Sequence, residues 1–160
     1  MAEIFLRKST DSLKLSNELF SYEIAQRSAG FPGRVSFQGD VDPVFESEAP
    51  MLSARLDGGL IYPCLKQGFH PEIFVKPDSV RVIFDDIGWQ DESGKPGKDY
   101  RLALHYEIYE DGVVFVKTFF FARTLDSGLI KNFLFRGHLR LEKKEEANWA
   151  YWRFPRTNTT

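Results

Sequence analysis

Two stretches of this 160-residue chain carry side chains whose types and spacing are suited to chemistry. In the first, His105 and Glu107 are two residues apart, which on a β-strand places both side chains on one face, about 7 Å apart. Together with His138 from another strand, they would suit a metal ion or acid–base chemistry. No spacing fixes a third ligand, and a partly solvated sheet face with a charged pair accounts for the same residues. We therefore expect no metal and no other cofactor.

The second stretch, residues 149–154, is rich in aromatic side chains. On a strand, Trp149, Tyr151 and Arg153 share one face. Aromatic rings beside a guanidinium suit a sugar, because axial C–H groups pack on the ring face and the hydroxyls accept from arginine. Packing beneath loops at the edge of a sheet explains the same residues. The polar and aromatic faces together give these candidate ligand-binding residues: Arg101, His105, Glu107, Arg136, His138, Trp149, Tyr151 and Arg153.

Paired carboxylates, a pattern used in acid–base catalysis, occur at Asp85 and Asp86. Adjacent strand residues point to opposite faces, so these two share a site only in a bulge or a turn. We favour a turn that ends a strand at residues 80–84. Cys64, the single cysteine, has apolar neighbours and is interpreted as an inert core thiol. There is no serine in a Gly-x-Ser-x-Gly turn and no phosphate-binding glycine pattern, so no complete catalytic site is recognised.

Composition and charge limit the partners and the location. The formal net charge of −2 argues against nucleic acid, since phosphate binding needs concentrated Lys and Arg. No apolar run approaches the ~20 residues that span a bilayer, which argues against a membrane. Residues 1–10 lack the longer apolar core of a signal peptide, so we expect a cytoplasmic protein. The length predicts a single domain over residues 1–160, since no linker divides the chain.

The clearest local structure is a hairpin over residues 100–123. Asp111 and Gly112 lie between two long alternating runs and predict a two-residue turn with positive φ at both positions. With Glu110 and Val113 flanking that turn, the register is fixed and one apolar core face follows. Its predicted cross-strand pairs are Ile108 with Phe115, Tyr106 with Lys117, Leu104 with Phe119, and Leu102 with Phe121. The opposite face is mixed in character and holds the first three candidate ligand-binding residues.

Shorter alternating segments, separated by turn signals, extend the same pattern to most of the chain. Residues 52–62 predict a hairpin, and residues 31–34 predict a type II turn with proline and glycine at its centre. Residues 94–99 contain two glycines and a proline and predict a mobile loop. Residues 18–28 fit a helix capped by Asn17 or, as we favour, an edge strand. We therefore predict an all-β fold, an antiparallel β-sandwich with little or no helix; a closed barrel is the alternative.

Two runs of the sequence resemble β-supersandwich domains of the galactose-mutarotase-like superfamily. One is residues 12–24 with residues 30–37, and the other is residues 100–118, which holds the Tyr-Glu-Ile-Tyr-x-Asp-Gly hairpin. Such domains precede the catalytic barrel in α-galactosidase-type glycoside hydrolases. This chain is shorter than those domains and lacks the catalytic His and Glu motifs of true mutarotases. The resemblance implies a carbohydrate-associated accessory domain and transfers no catalytic residue.

Three functions follow as hypotheses. The leading one is a non-catalytic, carbohydrate-associated β-sandwich, which either binds a sugar or supports a glycoside hydrolase. The second is an enzyme, either a small sugar epimerase or a metal-assisted catalyst that uses His105, Glu107 and His138. The third is a protein-interaction module whose interface is an exposed aromatic edge.

Overall fold

Two antiparallel β-sheets make up the described part of the protein. The computed structural model describes residues 3–39, 42–47, 49–56, 59–122 and 130–135. These residues form strands and turns and contain no helix, hence none long and apolar enough to cross a membrane. The prediction of an all-β, antiparallel, sandwich-like fold is confirmed.

The first sheet has five strands, which neighbour one another in chain order. They are β1 (Phe5–Lys8), β2 (Ser12–Ser16), β3 (Phe20–Ala25), β4 (Pro32–Phe37) and β5 (Phe45–Glu46). Residues 18–28, whose sequence fits both a helix and a strand, contain the strand β3. Its residues Phe20, Tyr22 and Ile24 are buried on one face, which requires the period of two of a strand. It lies between β2 and β4, so the expectation of an edge strand is wrong. Asn17 accepts from two backbone amides in the β2–β3 turn instead of capping a helix.

The predicted turn at residues 31–34 is also wrong, because its proline and glycine begin β4. Proline is compatible with the first position of a strand. The chain reverses before that point, over residues 26–31, where Ala29 and Gly30 have positive φ of 55° and 81°. The Pro-Gly pair on which the prediction rested lies in the strand, and the reversal uses Ala29 and Gly30 instead.

The second sheet has seven strands in the order β11-β10-β9-β7-β6-β12, with β8 paired to the first half of β9. They are β6 (Leu52–Leu56), β7 (Gly59–Cys64), β8 (Glu72–Val75), β9 (Ser79–Asp91), β10 (Pro96–Tyr109), β11 (Val114–Ala122) and β12 (Ile130–Phe135). The hairpin predicted over residues 52–62 is confirmed as β6 and β7. Strand β9 carries β8 along its first half and β7 along its second half, with β10 on its other side.

The loop predicted at residues 94–99 is shorter than expected, since β10 already begins at Pro96. A tight turn joins β9 to β10. The carboxylate of Asp91 accepts from the hydroxyl of Ser93 at 2.6 Å and from the backbone amides of Ser93 and Lys95 at 2.9 Å each. The Ser93 hydroxyl, followed by the Lys95 amide, lowers the pKa of Asp91. The ionised side chain thereby holds the turn together.

The two sheets share one hydrophobic core, to which both contribute fully buried side chains. Tyr106 on β10 connects them most directly. Its ring lies at 6.3 Å from that of Tyr22 and 6.4 Å from that of Phe84, and its hydroxyl donates to the Gly30 carbonyl at 2.7 Å. Burial raises the pKa of the Tyr106 hydroxyl well above its ordinary value, so the group stays protonated and can donate.

The β10–β11 hairpin forms as predicted, but its register differs by one residue. The amide of Tyr109 donates to the Val113 carbonyl at 2.9 Å, and the amide of Gly112 donates to the Tyr109 carbonyl at 3.0 Å. Gly112 has a φ of 86°, whereas Asp111 is not among the residues with positive φ. The two-residue turn is therefore excluded, and the strands are joined by a three-residue loop that ends in glycine.

This shift exchanges the two faces of β11, because the side-chain period of a strand is two. The β10 side chains Leu102, Leu104, Tyr106 and Ile108 face the core as predicted, but they pair with Phe120, Thr118, Val116 and Val114. The predicted partners are thus wrong. Phe115, Phe119 and Phe121 belong to the outer face instead, where they are 60%, 40% and 52% exposed.

Candidate functional site

An irregularity in β9 places two acidic side chains on the outer face of the second sheet. Phe84 and Ile87 are both buried, and they pair with β10 residues that are only two positions apart. The extra residue forms a β-bulge, and Asp85 and Asp86 within it are both exposed. The predicted turn is therefore wrong, since β9 continues past this point. Both carboxylates lie on one side of the sheet.

Each of these carboxylates meets a basic side chain from β10. His105 Nε2 is 2.9 Å from Asp85 Oδ1, and Arg101 Nε is 3.5 Å from Asp86 Oδ1. The exposed fractions of the four side chains run from 34% to 69%, so a ligand in solvent can reach them. Two residues predicted from the sequence therefore share a site, and the bulge adds two acidic groups to it.

Strand β11 adds a row of aromatic rings to the same face. The ring of Phe119 lies 4.8 Å from that of His105 and 6.5 Å from that of Phe121, and the two phenylalanine rings are nearly parallel at 19°. Phe115 continues the row next to Tyr109, at 6.0 Å between ring centroids. We name this surface the bulge face: Asp85, Asp86, Arg101, His105, Phe119 and Phe121. It can accept and donate hydrogen bonds beside an exposed apolar platform.

Glu107, the third predicted residue on β10, belongs to a separate cluster. Lys76 donates to its carboxylate, and Arg81 Nη2 lies 3.4 Å from the same oxygen. Within the described ranges, no three His, Cys, Asp or Glu side chains group closely enough to hold a metal ion. The metal or epimerase hypothesis also needs His138, which lies outside the described residues. The structure thus separates Glu107 from the bulge face by its partners.

We expect Glu107→Gln to destabilise the protein at pH 7 but much less at pH 3. The hydrogen bond from Lys76, with the charges of Lys76 and Arg81, lowers the pKa of Glu107. A carboxyl with a lowered folded-state pKa contributes its stability above its unfolded pKa of about 4.3 and loses it as the pH falls through the folded value. Urea unfolding of both proteins at several pH values measures this difference. A difference in the free energy of unfolding that is as large at pH 3 as at pH 7 would contradict the prediction.

The other five candidate ligand-binding residues belong to the C-terminal part of the sequence. Arg136, His138, Trp149, Tyr151 and Arg153 lie outside the described residues. Their proposed contribution to a ligand site stays a prediction. The site described here accordingly rests on β9, β10 and β11 alone.

Cys64 is half-buried at the end of β7, rather than part of the core as expected. Burial raises the pKa of its thiol, an effect that the charge of Lys66 partly opposes. A thiol with a raised pKa has little thiolate at neutral pH and is a poor nucleophile. The prediction of a core position is wrong, and the chemical inertness of Cys64 stays a prediction.

A separate cleft of about 380 Å³ lies next to the N-terminal residues. Glu3, Asp78 and Glu110 contribute acidic groups to its lining, and Lys76 contributes one ammonium. That ammonium is already bound to Glu107. Nothing in this cleft combines stacking with paired donors and acceptors, so we place the candidate site at the bulge face.

Sequence reasoning missed four residues of the bulge face: Asp85, Asp86, Phe119 and Phe121. A signal for the bulge was present, because the apolar Phe84 and Ile87 are three positions apart and so break the alternation of β9. No comparable signal existed for the phenylalanines, since both registers of the hairpin are compatible with the same residues.

Comparison with known proteins adds no family assignment. No protein-family model, no curated protein and no solved structure gives a significant match to this chain. The resemblance to β-supersandwich domains stays a prediction.

Proposed function

We propose that the bulge face binds a carbohydrate and that the protein is a non-catalytic sugar-binding domain or the accessory domain of a glycoside hydrolase. The observation that carries the proposal is the coincidence of exposed, nearly parallel phenylalanine rings with two carboxylates and two basic groups on one sheet face. Sugars need this combination, because their C–H faces are apolar while their hydroxyls both donate and accept hydrogen bonds.

The position of the site supports the same function. The face lies on β-strands, so its side chains are held by the pairing of β9, β10 and β11 and not by loops. The rings of Phe119 and Phe121 provide a platform for one or more sugar units, and the polar groups of the bulge lie at its side. The side chains of this face are exposed, which suits chain-like or terminal sugars held weakly.

We expect Phe119→Ala to reduce sugar affinity at least tenfold, because it removes the ring beside both His105 and Phe121. Isothermal titration with maltotriose, cellotriose and galactotriose at millimolar concentration measures the affinity. Phe74→Ala is the matched control: Phe74 is 49% exposed on the same outer face, but it lies on β8, which β9 and β10 separate from β11. If no sugar of the panel binds, or if both variants lose affinity equally, the proposal is wrong.

A second candidate function is protein interaction, favoured by the position of β11. Among the described strands it lies at one end of the second sheet, paired only with β10, and it presents Phe115, Phe119 and Phe121 outward. Exposed apolar edge strands are sites where another chain can add. The same set of variants separates the two functions. Self-association that Phe119→Ala abolishes, in a protein that binds no sugar, would support the interaction module.

A further inference from the structure

We propose that β11 pairs with β11 of a second copy of this chain, antiparallel and about a two-fold axis at Thr118, to form a weak dimer. The proposal goes beyond sugar binding, and it commits the edge used by the second candidate function to one partner. An axis perpendicular to the sheet leaves the outer faces of both copies on the same side of one continuous sheet. The bulge face therefore stays open, and the dimer does not depend on whether that face binds sugar.

The main-chain groups of β11 alternate between β10 and the open edge of the sheet. The amide of Tyr109 donates to the Val113 carbonyl at 2.9 Å, so these residues form a hydrogen-bonded pair. Such pairs recur at every second residue, so the odd-numbered residues of β11 bond to β10. The amide of Glu110 donates to the Asp78 carbonyl at 3.1 Å, which agrees, since the even-numbered residues of β10 then bond to β9. The even-numbered residues of β11 direct their N–H and C=O groups away from β10, where no described strand lies.

Strand β11 lacks the features by which edge strands avoid pairing with other chains. It has nine residues without proline, glycine or a register shift, and Lys117 is its one charged residue. The strands at the edges of the first sheet differ from it. Strand β1 has Arg7 and Lys8 among its four residues, and β5 has only two residues. Because charges and short length discourage edge-to-edge pairing, β1 and β5 are protected and β11 is not.

The sequence of β11 fits a second copy of itself. Full antiparallel overlap of Val114–Ala122 puts Thr118, the middle residue, on the two-fold axis. The main-chain groups of Thr118 point to the open edge, so its two copies form a hydrogen-bonded pair on that axis. Across the axis, the outer-face pairs are Phe115 with Phe121 and Lys117 with Phe119.

Charge favours this register over its neighbours. Shifting one copy by two residues in one direction places Lys117 opposite Lys117, and like charges directly opposite each other destabilise a sheet. A shift in the other direction moves Phe115 past the end of the strand at Ala122. In the full-overlap register, the ammonium of Lys117 instead meets the ring of Phe119 of the second copy, a favourable cation–π contact. The strand is thus complementary to itself in both shape and charge.

The exposed area limits the strength of the dimer. Phe115, Phe119 and Phe121 together leave about 300 Å² of ring surface exposed per copy, for ~200 Å² per phenylalanine side chain. Besides main chain, pairing would bury no more than about 600 Å² of this surface, less than the roughly 1,200–2,000 Å² of a stable interface. We therefore expect a transient dimer with a dissociation constant of about 10–100 μM.

Cysteine cross-linking of the full chain in a Cys64→Ala background tests the register. Thr118→Cys places two thiols on the axis with Cα atoms about 5.5 Å apart, a distance that a disulfide spans. We expect most of this variant to form a disulfide-linked dimer in a glutathione redox buffer. Val116→Cys is the matched control, since Val116 is exposed on the same face of β11. Its two copies would be about 14 Å apart along the strands, so it should cross-link at least tenfold less.

Sedimentation equilibrium of the full chain measures the affinity. Thr118→Pro removes the N–H group on the axis but none that bonds to β10, and proline is tolerated on edge strands in this orientation. We expect it to raise the dissociation constant at least tenfold, whereas Thr118→Ala should leave it within threefold of the wild-type value. Thermal unfolding verifies the fold of both variants.

The outcomes separate this inference from the proposed function. A full chain that stays monomeric well above the expected dissociation constant overturns the inference, including the case in which another segment or another protein occupies the edge. Cross-linking of Val116→Cys as efficient as that of Thr118→Cys overturns it as well. If the dimer forms with this register and no sugar binds, the inference stands and the proposed sugar binding fails.

Discussion

Replacing Tyr106 by alanine is expected to destabilise the protein by about 3–5 kcal/mol, as is usual when a large aromatic side chain is removed from a core. Tyr106 is fully buried, and it connects the two sheets by both ring contacts and a hydrogen bond. Its removal would leave a cavity between the rings of Tyr22 and Phe84. Urea unfolding followed by tryptophan fluorescence measures the change.

The matched variant Tyr106→Phe separates the hydrogen bond from the packing. It keeps the ring and removes only the donor to the Gly30 carbonyl, so we expect a loss of about 1–3 kcal/mol. Gly30 belongs to the β3–β4 loop, and the atom that a side chain would add there would be 3.2 Å from the ring of Phe84. This close approach leaves the loop little room to find another donor. A phenylalanine variant as unstable as the alanine variant would show that packing contributes little.

Deleting Ile83 is expected to unfold the protein, whereas deleting Asp86 is not. Removal of Ile83 turns the first half of β9 over, so that Val80 and Val82 leave the core and Arg81 points into it. Losing the burial of two valines costs about 3–6 kcal/mol, and an unpaired guanidinium in the core costs more. The sum is comparable to the whole stability of a typical domain, about 5–15 kcal/mol.

Removal of Asp86 has the opposite consequence, since it takes out the extra residue of the bulge. Phe84, Asp85 and Ile87 would then alternate regularly and stay aligned with β10. We expect the protein to keep a cooperative unfolding transition, at a cost of about 2 kcal/mol or less. Circular dichroism and urea unfolding of both deletions provide the test. If the Asp86 deletion also unfolds, the bulge is required by the fold itself.

These two deletions also bear on function. A bulge that the fold tolerates losing is best explained by the side chains that it presents, and bulges commonly occur next to functional sites. We therefore expect the Asp86 deletion to fold and yet to bind sugars less tightly than the wild-type protein. The bulge face would then be a surface built for binding and not a consequence of sheet geometry.

The sequence alone determined the fold class and the inward face of the central hairpin strand. Alternation along residues 100–109 predicts that Leu102, Leu104, Tyr106 and Ile108 are core, and all four are fully buried. It also identified Arg101 and His105 as members of a mixed outer face. These features are local. Side chains alternate along a strand with a period of two, so the residues that share a face are the same for any neighbouring strand.

Only the tertiary structure decided the register of β11 and the position of the bulge. Asp111 and Gly112 fit both a two-residue and a three-residue loop. The longer loop is held by contacts from the other sheet: Asn17 donates to the Glu110 carbonyl at 2.7 Å, and the ring of Phe20 lies against Gly112. Since these partners are about ninety residues away in sequence, no local pattern contains them. One residue of register then decides whether three phenylalanines are core or surface.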